Sequence, residues 1–187
     1  WHTCPNGGRI NASNPCSEYM FLDDTACNLA SLNLMQFKNE DGKFNTDAFK
    51  HAVNLWTLTL EISVLMAQFP SKEIAQNSYD YRTLGLGFAN IGGYLMASGI
   101  SYDSVEGRSL CAAISALMTG VSYATSAQIA KELGSFPKYK NNSKEMLRVI
   151  KNHRQAAYGK REGYNNLSVL PVPLVEEECL DTNLINS

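Results

Sequence analysis

The sequence has little excess of either charge. Its 187 residues include 16 Lys plus Arg and 18 Asp plus Glu, which gives a formal net charge of −2. Because proteins that bind nucleic acid through phosphates usually carry a basic excess, this composition disfavours a nucleic-acid-binding function. No uninterrupted apolar run is long enough to span a bilayer, so we expect no membrane contact. Hydrophobic residues make up 44% of the chain and charged residues 18%, which predicts one sizeable core and excludes a disordered tail.

Cysteine and histidine are also sparse. The five Cys residues show no short repeated spacing and no CxxC pair, and the three His residues lie far apart. An odd number of cysteines without such a pattern is typical of a reducing compartment, so we expect a cytoplasmic protein rather than a secreted disulfide scaffold. The same spacing predicts no metal centre. The cysteines are Cys4, Cys16, Cys27, Cys111 and Cys179.

The pattern of apolar residues predicts a mostly α-helical chain with a few short strands. Residues 1–19 are rich in Asn, Gly, Ser and Pro and indicate a loop, whereas residues 28–37 alternate enough to indicate a strand. Apolar residues recur every three or four positions in four further segments, which predicts helices. These helices cover 46–69, 86–98, 103–133 and 143–158, and an extended segment (171–173) and a last helix from Leu174 follow.

Polar residues able to cap a helix precede the three longest predicted helices. The predicted caps are Asn45 or Thr46 for the first, Asp103 with Glu106 for the second, and Asn142 with Glu145 for the third. Pro70 and Gly134 mark helix ends. The 46–69 helix carries two apolar sets, one running through Leu55 and Leu58 and one through Phe49 and Val53. We therefore expect it to be buried on most sides.

Both ends of the chain indicate a fragment of a longer polypeptide. The sequence opens on Trp1 with no signal peptide, and it closes on Ser187 soon after an acidic run at 176–178 that is typical of a helix start. We expect a chain truncated at both ends.

Three chemically capable side chains lie close together near the front of the chain. Asn14, Cys16 and Glu18 occupy every second position, and Pro15 disfavours helical dihedrals at Asn14. An extended segment would place the three side chains on one face, about 7 Å apart. An amide can bind hydroxyls, a carboxylate can accept a proton, and a thiol can act as a nucleophile or a hydrogen-atom donor. A turn with a buried Cys and a solvated Glu explains the same residues without any chemistry.

Residues 11–34, NASNPCSEYMFLDDTACNLASLNL, resemble the active-site loop of the ribonucleotide reductase catalytic subunit. The Pro after Asn14 and the eleven positions from Cys16 to Cys27 are most similar to the adenosylcobalamin-dependent, class II enzymes. The later segments RTLGLG, at 82–87, and GYNNLSVLPVP, at 163–173, resemble the same family. The resemblance covers nearly the whole chain.

The resemblance implies a ten-stranded α/β barrel of which residues 1–187 are a partial catalytic domain. Residues 1–27 would be the active-site loop region and residues 28–187 the strand and helical part. By resemblance, Cys16 forms the thiyl radical that removes the ribose 3′ hydrogen. Glu18 takes the 3′ hydroxyl proton, Asn14 binds ribose hydroxyls, and Cys27 is half of the pair that reduces the 2′ carbon. Substrate binding would involve Asn14, Pro15, Cys16, Ser17 and Glu18.

The resemblance also implies partners and a cofactor. The longer protein would use adenosylcobalamin, a ribonucleoside di- or triphosphate and a thioredoxin-type reductant, and would make deoxyribonucleotides for DNA replication. The redox partner of Cys27 lies outside this sequence, so we expect the isolated chain to be inactive. Unpaired strand edges and two apolar faces on the 46–69 helix further predict a homodimer.

Two other classes of function stay open from the residues alone. A cysteine hydrolase could pair Cys16 with a distant His51 or His153, and a helical binding module could carry the loop without its chemistry. The segment that contains Gly85 and Gly87 lacks the third glycine of a dinucleotide-binding fingerprint, so we expect these two glycines to serve helix packing. Outside the loop, Cys111 is predicted in the core, Cys179 as a surface or packing thiol, and Cys4 as incidental.

Overall fold

The computed structural model describes residues 1–175 and 178–187. Within these residues two strands form one sheet, and helices carry most of the rest. The strands are β1 (Asn28–Asn33) and β2 (Leu84–Ala89), and the helices are α1 (Thr46–Met66), α2 (Lys72–Tyr81), α3 (Ile91–Ala97), α4 (Val105–Leu133), α5 (Tyr139–Ala157) and α6 (Thr182–Ile185). The prediction of a mostly helical chain with short strands is confirmed.

The two strands run parallel, in a register that pairs Asn28 with Leu84 and Asn33 with Ala89. Parallel neighbours need a long crossover, and here α1 and α2 provide it. The predicted 86–98 helix is wrong in its first part, because residues 84–89 are a strand and the helix begins only at Ile91. The predicted 28–37 strand ends at Asn33 and continues as a 3₁₀ turn, Leu34–Phe37.

Helix α1 is buried on one side only. Its N-cap is Asn45, whose side chain accepts the Ala48 N–H, as predicted. The helix stops at Met66, three residues before the predicted end. It buries the set Phe49, Val53, Thr57, Leu60 and Val64, and leaves exposed the set Leu55, Leu58, Ile62 and Leu65. The prediction of burial on most sides is wrong because, within the described chain, α4 and the two-stranded sheet supply most of the packing against α1.

Helix α4 begins after Ser104, whose hydroxyl accepts the Gly107 N–H, so the prediction of Asp103 and Glu106 as caps is wrong. It ends at Gly134 as predicted. By length and composition α4 could cross a membrane, so the prediction that no segment has these properties is also wrong. Its buried residues, which include Leu110, Ala113, Ile114 and Met118, lie in the main core cluster together with Phe49 and Val53.

Helix α5 holds the N-terminal segment of the chain by a hydrogen bond. It begins at Tyr139, four residues before the predicted start, and Asn142 lies inside it rather than capping it. The fully buried Asn142 side chain accepts the Asn6 N–H at 3.0 Å and donates to the Lys138 carbonyl. The capping prediction fails here because an Asn side chain inside a helix can also form a hydrogen bond with the backbone of a distant residue.

Two segments complete the comparison with the predicted elements. Helix α2, capped by Ser71, was not predicted, because its ten residues carry few apolar positions. No regular element covers 171–173, in line with the extended segment that was predicted there. The predicted last helix from Leu174 runs into residues 176–177, which lie outside the described residues, and α6 begins only at Thr182.

Candidate functional site

The Asn14–Glu18 segment is a tight turn. The Asn14 carbonyl accepts the Ser17 N–H at 3.1 Å, with Pro15 and Cys16 at the two central positions. Asn14 also closes the base of the loop, because its N–H donates to the Tyr19 carbonyl at 3.2 Å and its Oδ1 accepts the Tyr19 N–H at 3.0 Å. Ser17 has a φ of 62°, in the left-handed region. Together these bonds reverse the chain within six residues.

The prediction of an extended segment with three side chains on one face is therefore wrong. Pro15 does keep Asn14 out of the helical region, but a proline is equally suited to the second position of a turn. The turn exposes Cys16, Ser17 and Glu18 at its tip, and Asn14 is half-buried at its base. Among the described residues no hydrogen bond joins the side chains of Asn14, Cys16 and Glu18.

The Tyr19 hydroxyl ties this turn to the sheet. It donates to Thr25 Oγ1 at 2.8 Å and lies 2.9 Å from Thr83 Oγ1. Thr25 in turn donates to the Leu22 carbonyl, and Thr83, at the start of β2, donates to the Ala26 carbonyl at 2.9 Å. The three hydroxyls therefore join the loop, the segment before β1 and the start of β2. Burial is the main reason that the pKa of Tyr19 is raised, and its hydroxyl stays protonated at neutral pH.

Cys27 lies at the amino end of β1 and is half-buried. Burial, and next the negative charge of Glu18, raises the pKa of Cys27 to about 11. The Glu18 carboxylate is therefore close enough to Cys27 for its charge to act on that thiol. The charge of Glu18 therefore acts on a thiol nine positions further along the chain. Cys27 remains a neutral thiol at neutral pH.

Arg82 anchors the start of β2 next to Thr83. Its guanidinium forms an ion pair with the Glu61 carboxylate of α1 at 2.5 Å and donates to the Glu61 carbonyl at 3.0 Å. Both side chains are largely buried, and Arg82 itself has a φ of 50°. The RTLGLG segment therefore connects α1, β2 and the loop through neighbouring residues.

The other cysteines take different positions. All five cysteines are free. Cys4 is buried against Leu22 and Tyr81, so it is a packing residue of a small second core rather than incidental. Cys179 is buried in the main core, and Cys111 is only half-buried. Burial raises the pKa of all three thiols, which makes them poor nucleophiles.

The geometry gives the hydrolase alternative no support. His51 and His153 are exposed on α1 and α5, and among the described residues neither hydrogen-bonds to Cys16. In the part of the chain that the structure describes, no group of three or more His, Cys, Asp or Glu residues could hold a metal ion. Two cavities among the described residues, of about 390 and 220 Å³, lie near Phe44 and Tyr94 and are lined by no residue of the 14–27 loop.

Sequence reasoning missed the residues that hold the site together. Tyr19, Thr25 and Thr83 are not distinguished by spacing or by chemistry, and their three hydroxyls meet only when the loop folds onto β2. The one available signal is position, because Tyr19 follows Glu18 directly and Thr83 lies inside the RTLGLG segment.

The comparisons with known proteins show the family of this chain. A model of the protein family described as "Ribonucleotide reductase, barrel domain" matches residues 1–170, so the chain belongs to that family. A protein of Agrobacterium fabrum named vitamin B12-dependent ribonucleotide reductase is 63% identical over 186 residues. A protein of the same name from Bradyrhizobium diazoefficiens is 62% identical over 187 residues.

The similarity covers almost all of this chain but little of its relatives. The Agrobacterium match includes 99% of the chain and 15% of the relative, and the Bradyrhizobium match includes 100% and 15%. A Mycobacterium tuberculosis protein named vitamin B12-dependent ribonucleoside-diphosphate reductase is 30% identical over 135 residues, which is 72% of the chain and 19% of that protein. The family resemblance is confirmed, and the chain spans about 15% of the length of its two similar relatives.

Proposed function

We propose that this chain is the catalytic-loop part of an adenosylcobalamin-dependent ribonucleotide reductase, which converts ribonucleoside di- or triphosphates to deoxyribonucleotides. The observation that carries the proposal is the exposed turn that presents Cys16 and Glu18 at its tip, within the 1–170 segment that matches the family. Cys16 is exposed at the tip of a turn, and the Glu18 carboxylate beside it acts on the half-buried Cys27. Strands β1 and β2 are then two neighbouring strands of a ten-stranded barrel that the rest of the protein completes.

Cys16 is the residue that reacts with the ribose. Its thiol is exposed at the end of the loop, so both a substrate and a radical source can reach it. A Cys16 thiyl takes the hydrogen atom from C3′, which re-forms the S–H bond and leaves the unpaired electron on C3′. Pro15 and Ser17 flank Cys16 in the turn and border the bound nucleotide.

Asn14 and Glu18 serve the ribose hydroxyls. The Oδ1 atom of Asn14 already accepts the Tyr19 N–H, which fixes the amide so that its Nδ2 group faces away from that bond. This NH₂ group is the donor that we assign to a ribose hydroxyl. The exposed Glu18 carboxylate accepts the 3′ hydroxyl proton. Because Glu18 follows the left-handed Ser17, the turn sets the direction in which the carboxylate projects.

Cys27 supplies reducing equivalents together with a thiol outside this chain. Two thiols become one disulfide and release two electrons and two protons, while the 2′ hydroxyl leaves as water. Burial and the Glu18 charge keep Cys27 protonated at neutral pH, so its hydrogen is retained until the reaction uses it. A thioredoxin-type protein then reduces the disulfide.

Within the described residues, we relate only the Cys16 thiol to the chemistry of adenosylcobalamin. The exposed Cys16 thiol is a group on which radical chemistry can act, and the cofactor supplies such radical chemistry when it is bound. The cavities near Phe44 and Tyr94 are lined by no residue of the 14–27 loop, so neither would seat a corrin ring beside Cys16. We therefore assign the seat of the cofactor to parts of the protein beyond this chain.

We further propose a cytoplasmic protein, in line with the free thiols, and a homodimer of the isolated chain. The support for association is the exposed apolar set on α1, where Leu65 is 64% and Met66 78% exposed. Sedimentation of the isolated chain at low micromolar concentration tests the dimer, and a single 20.6 kDa species would contradict it.

A chimaera tests the proposed function. The segment of the Agrobacterium relative that matches this chain is replaced by the matching 186 residues of the chain, and deoxynucleotide formation is measured with adenosylcobalamin and a dithiol. We expect turnover in the chimaera, loss of turnover with Cys16→Ser, and unchanged turnover with Cys111→Ser as the matched control. An active chimaera that tolerates Cys16→Ser would disprove the assignment, and so would a folded chimaera with no activity.

A further inference from the structure

Gly85 lies where a side chain would occupy the space of the Cys27 thiol. It is the second residue of β2 and pairs with Leu29 of β1. A Cβ atom built on Gly85 would lie 2.7 Å from Cys27 Sγ and 2.9 Å from the Asn28 carbonyl oxygen, and would also overlap the Leu29 side chain. Real Cβ atoms essentially never approach a neighbour closer than 3.0 Å. Something must move if this position gains a side chain.

The backbone does not require glycine at this position. Gly85 lies in a regular strand and is absent from the positive-φ residues among the described part of the chain. Gly87, two residues further along the same strand, offers a direct comparison. A Cβ on Gly87 would meet only Ser31 Oγ, at an ordinary 3.8 Å. The steric need for glycine is therefore specific to position 85 and comes from its neighbours.

We propose that Gly85 is a positioning residue for Cys27, whose sulfur occupies the space left by the missing side chain against β2. The inference rests on the proposed function only in giving Cys27 the role of the reducing thiol. Of the atoms around Gly85, the Asn28 carbonyl belongs to the β1 backbone and cannot move without disturbing the strand. The Leu29 and Cys27 side chains can both rotate about their Cα–Cβ bonds, so a methyl group at position 85 displaces the Leu29 side chain and moves the Cys27 thiol from its half-buried site.

The test measures the reactivity of Cys27 in the 187-residue chain. Gly85→Ala and Gly87→Ala are each reacted with hydroxyethyl disulfide over a range of pH, and peptide mass spectrometry follows the modification of Cys27. We expect Gly85→Ala to raise the rate at Cys27 by at least about threefold and to shift its pH profile to lower pH, because the displaced thiol is less desolvated. Gly87→Ala should match the parent chain. An unchanged Cys27 profile in folded Gly85→Ala would overturn the proposal.

A second variant covers the case in which Gly85→Ala does not fold. The double variant Gly85→Ala with Cys27→Ala lacks the sulfur that lies 2.7 Å from the new Cβ atom, so the proposal predicts that the double variant is more stable than Gly85→Ala in urea titrations. If removing the sulfur relieves none of the lost stability, the obstacle is Leu29 or Asn28 and the proposal is wrong. Circular dichroism, and protection of the buried Cys4 from reaction with hydroxyethyl disulfide, report folding in both cases.

The chimaera separates this inference from the proposed function. The labelling experiment needs no nucleotide, so its result stands even if the chimaera never reduces a ribonucleotide. In an active chimaera, Gly85→Ala should lower multiple turnover with a dithiol while exchange of the 3′ hydrogen continues. Equal turnover of the Gly85→Ala and Gly87→Ala chimaeras would contradict the positioning role and leave the proposed function intact.

Discussion

The folded chain should protect Cys27 from thiol–disulfide exchange by a calculable amount. Its pKa is about 11, against an ordinary value of 9.0 for the unfolded chain. At about pH 8 this difference lowers the thiolate fraction roughly 90-fold. A thiolate of higher pKa is also a better nucleophile, by roughly six- to tenfold for a difference of about two units. The net prediction is exchange about tenfold slower in the folded chain, before any steric shielding by β2 is added.

The assay compares the rate at Cys27 in buffer and in urea, with peptide mass spectrometry to separate the five cysteines. Cys16 is the internal control, because it is exposed in the folded chain and should react at similar rates in both states. Glu18→Gln removes the second cause of the raised pKa, so it should speed exchange at Cys27 but leave it slower than in urea. Equal rates at Cys27 in the folded and unfolded chain would refute the burial and charge argument.

Three substitutions test the packing that supports the site. Tyr19→Phe removes the hydroxyl between Thr25 and Thr83 and should lower the free energy of unfolding by about 1 kcal/mol in urea titrations, whereas the exposed Tyr102→Phe should change it little. Phe49→Ala, at a fully buried position, should cost about 3–5 kcal/mol, and a loss under about 1 kcal/mol would contradict the described core. Asn142→Ala should cost about 2 kcal/mol and increase amide exchange at Asn6, whose N–H loses its acceptor; unchanged exchange there would argue against that bond.

The long helices could be predicted because their signals are local. The cap of α1 was predicted as Asn45 or Thr46 and is Asn45, and the end of α4 at Gly134 was predicted correctly, since capping depends on residues within one turn of the helix end. Strand β2 could not be predicted in the same way. Its alternation of Leu and Gly is short, and what makes it a strand is pairing with β1, more than fifty residues away.

The burial of α1 shows a different limit. Both apolar sets are visible in the sequence, but only the set containing Phe49 and Val53 is covered by other parts of this chain. The set containing Leu55 and Leu58 is exposed in the described structure. Hydrophobic periodicity predicts which residues favour burial; it does not tell whether the partner surface belongs to the same chain.

For the site, the sequence pointed to candidate residues but not to their arrangement. Cys16, Glu18 and Cys27 were chosen by resemblance to a known family, and that family is confirmed. The turn at Pro15 was mistaken for an extended segment because a proline restricts its neighbour in both conformations. The influence of Glu18 on Cys27 depends on the loop folding back toward the start of β2, which local sequence patterns do not encode.

The central claim is that Cys16 and Cys27 perform different steps, and loss of the 3′ hydrogen from the nucleotide tests it most directly. The chimaera is incubated with a ribonucleotide that carries tritium at C3′, and tritium released to water is measured for Cys16→Ser and Cys27→Ser. We predict no release above background with Cys16→Ser, and continued release without clean deoxynucleotide formation with Cys27→Ser. Tritium release by the Cys16→Ser chimaera, or its loss in both variants alike, would contradict the account.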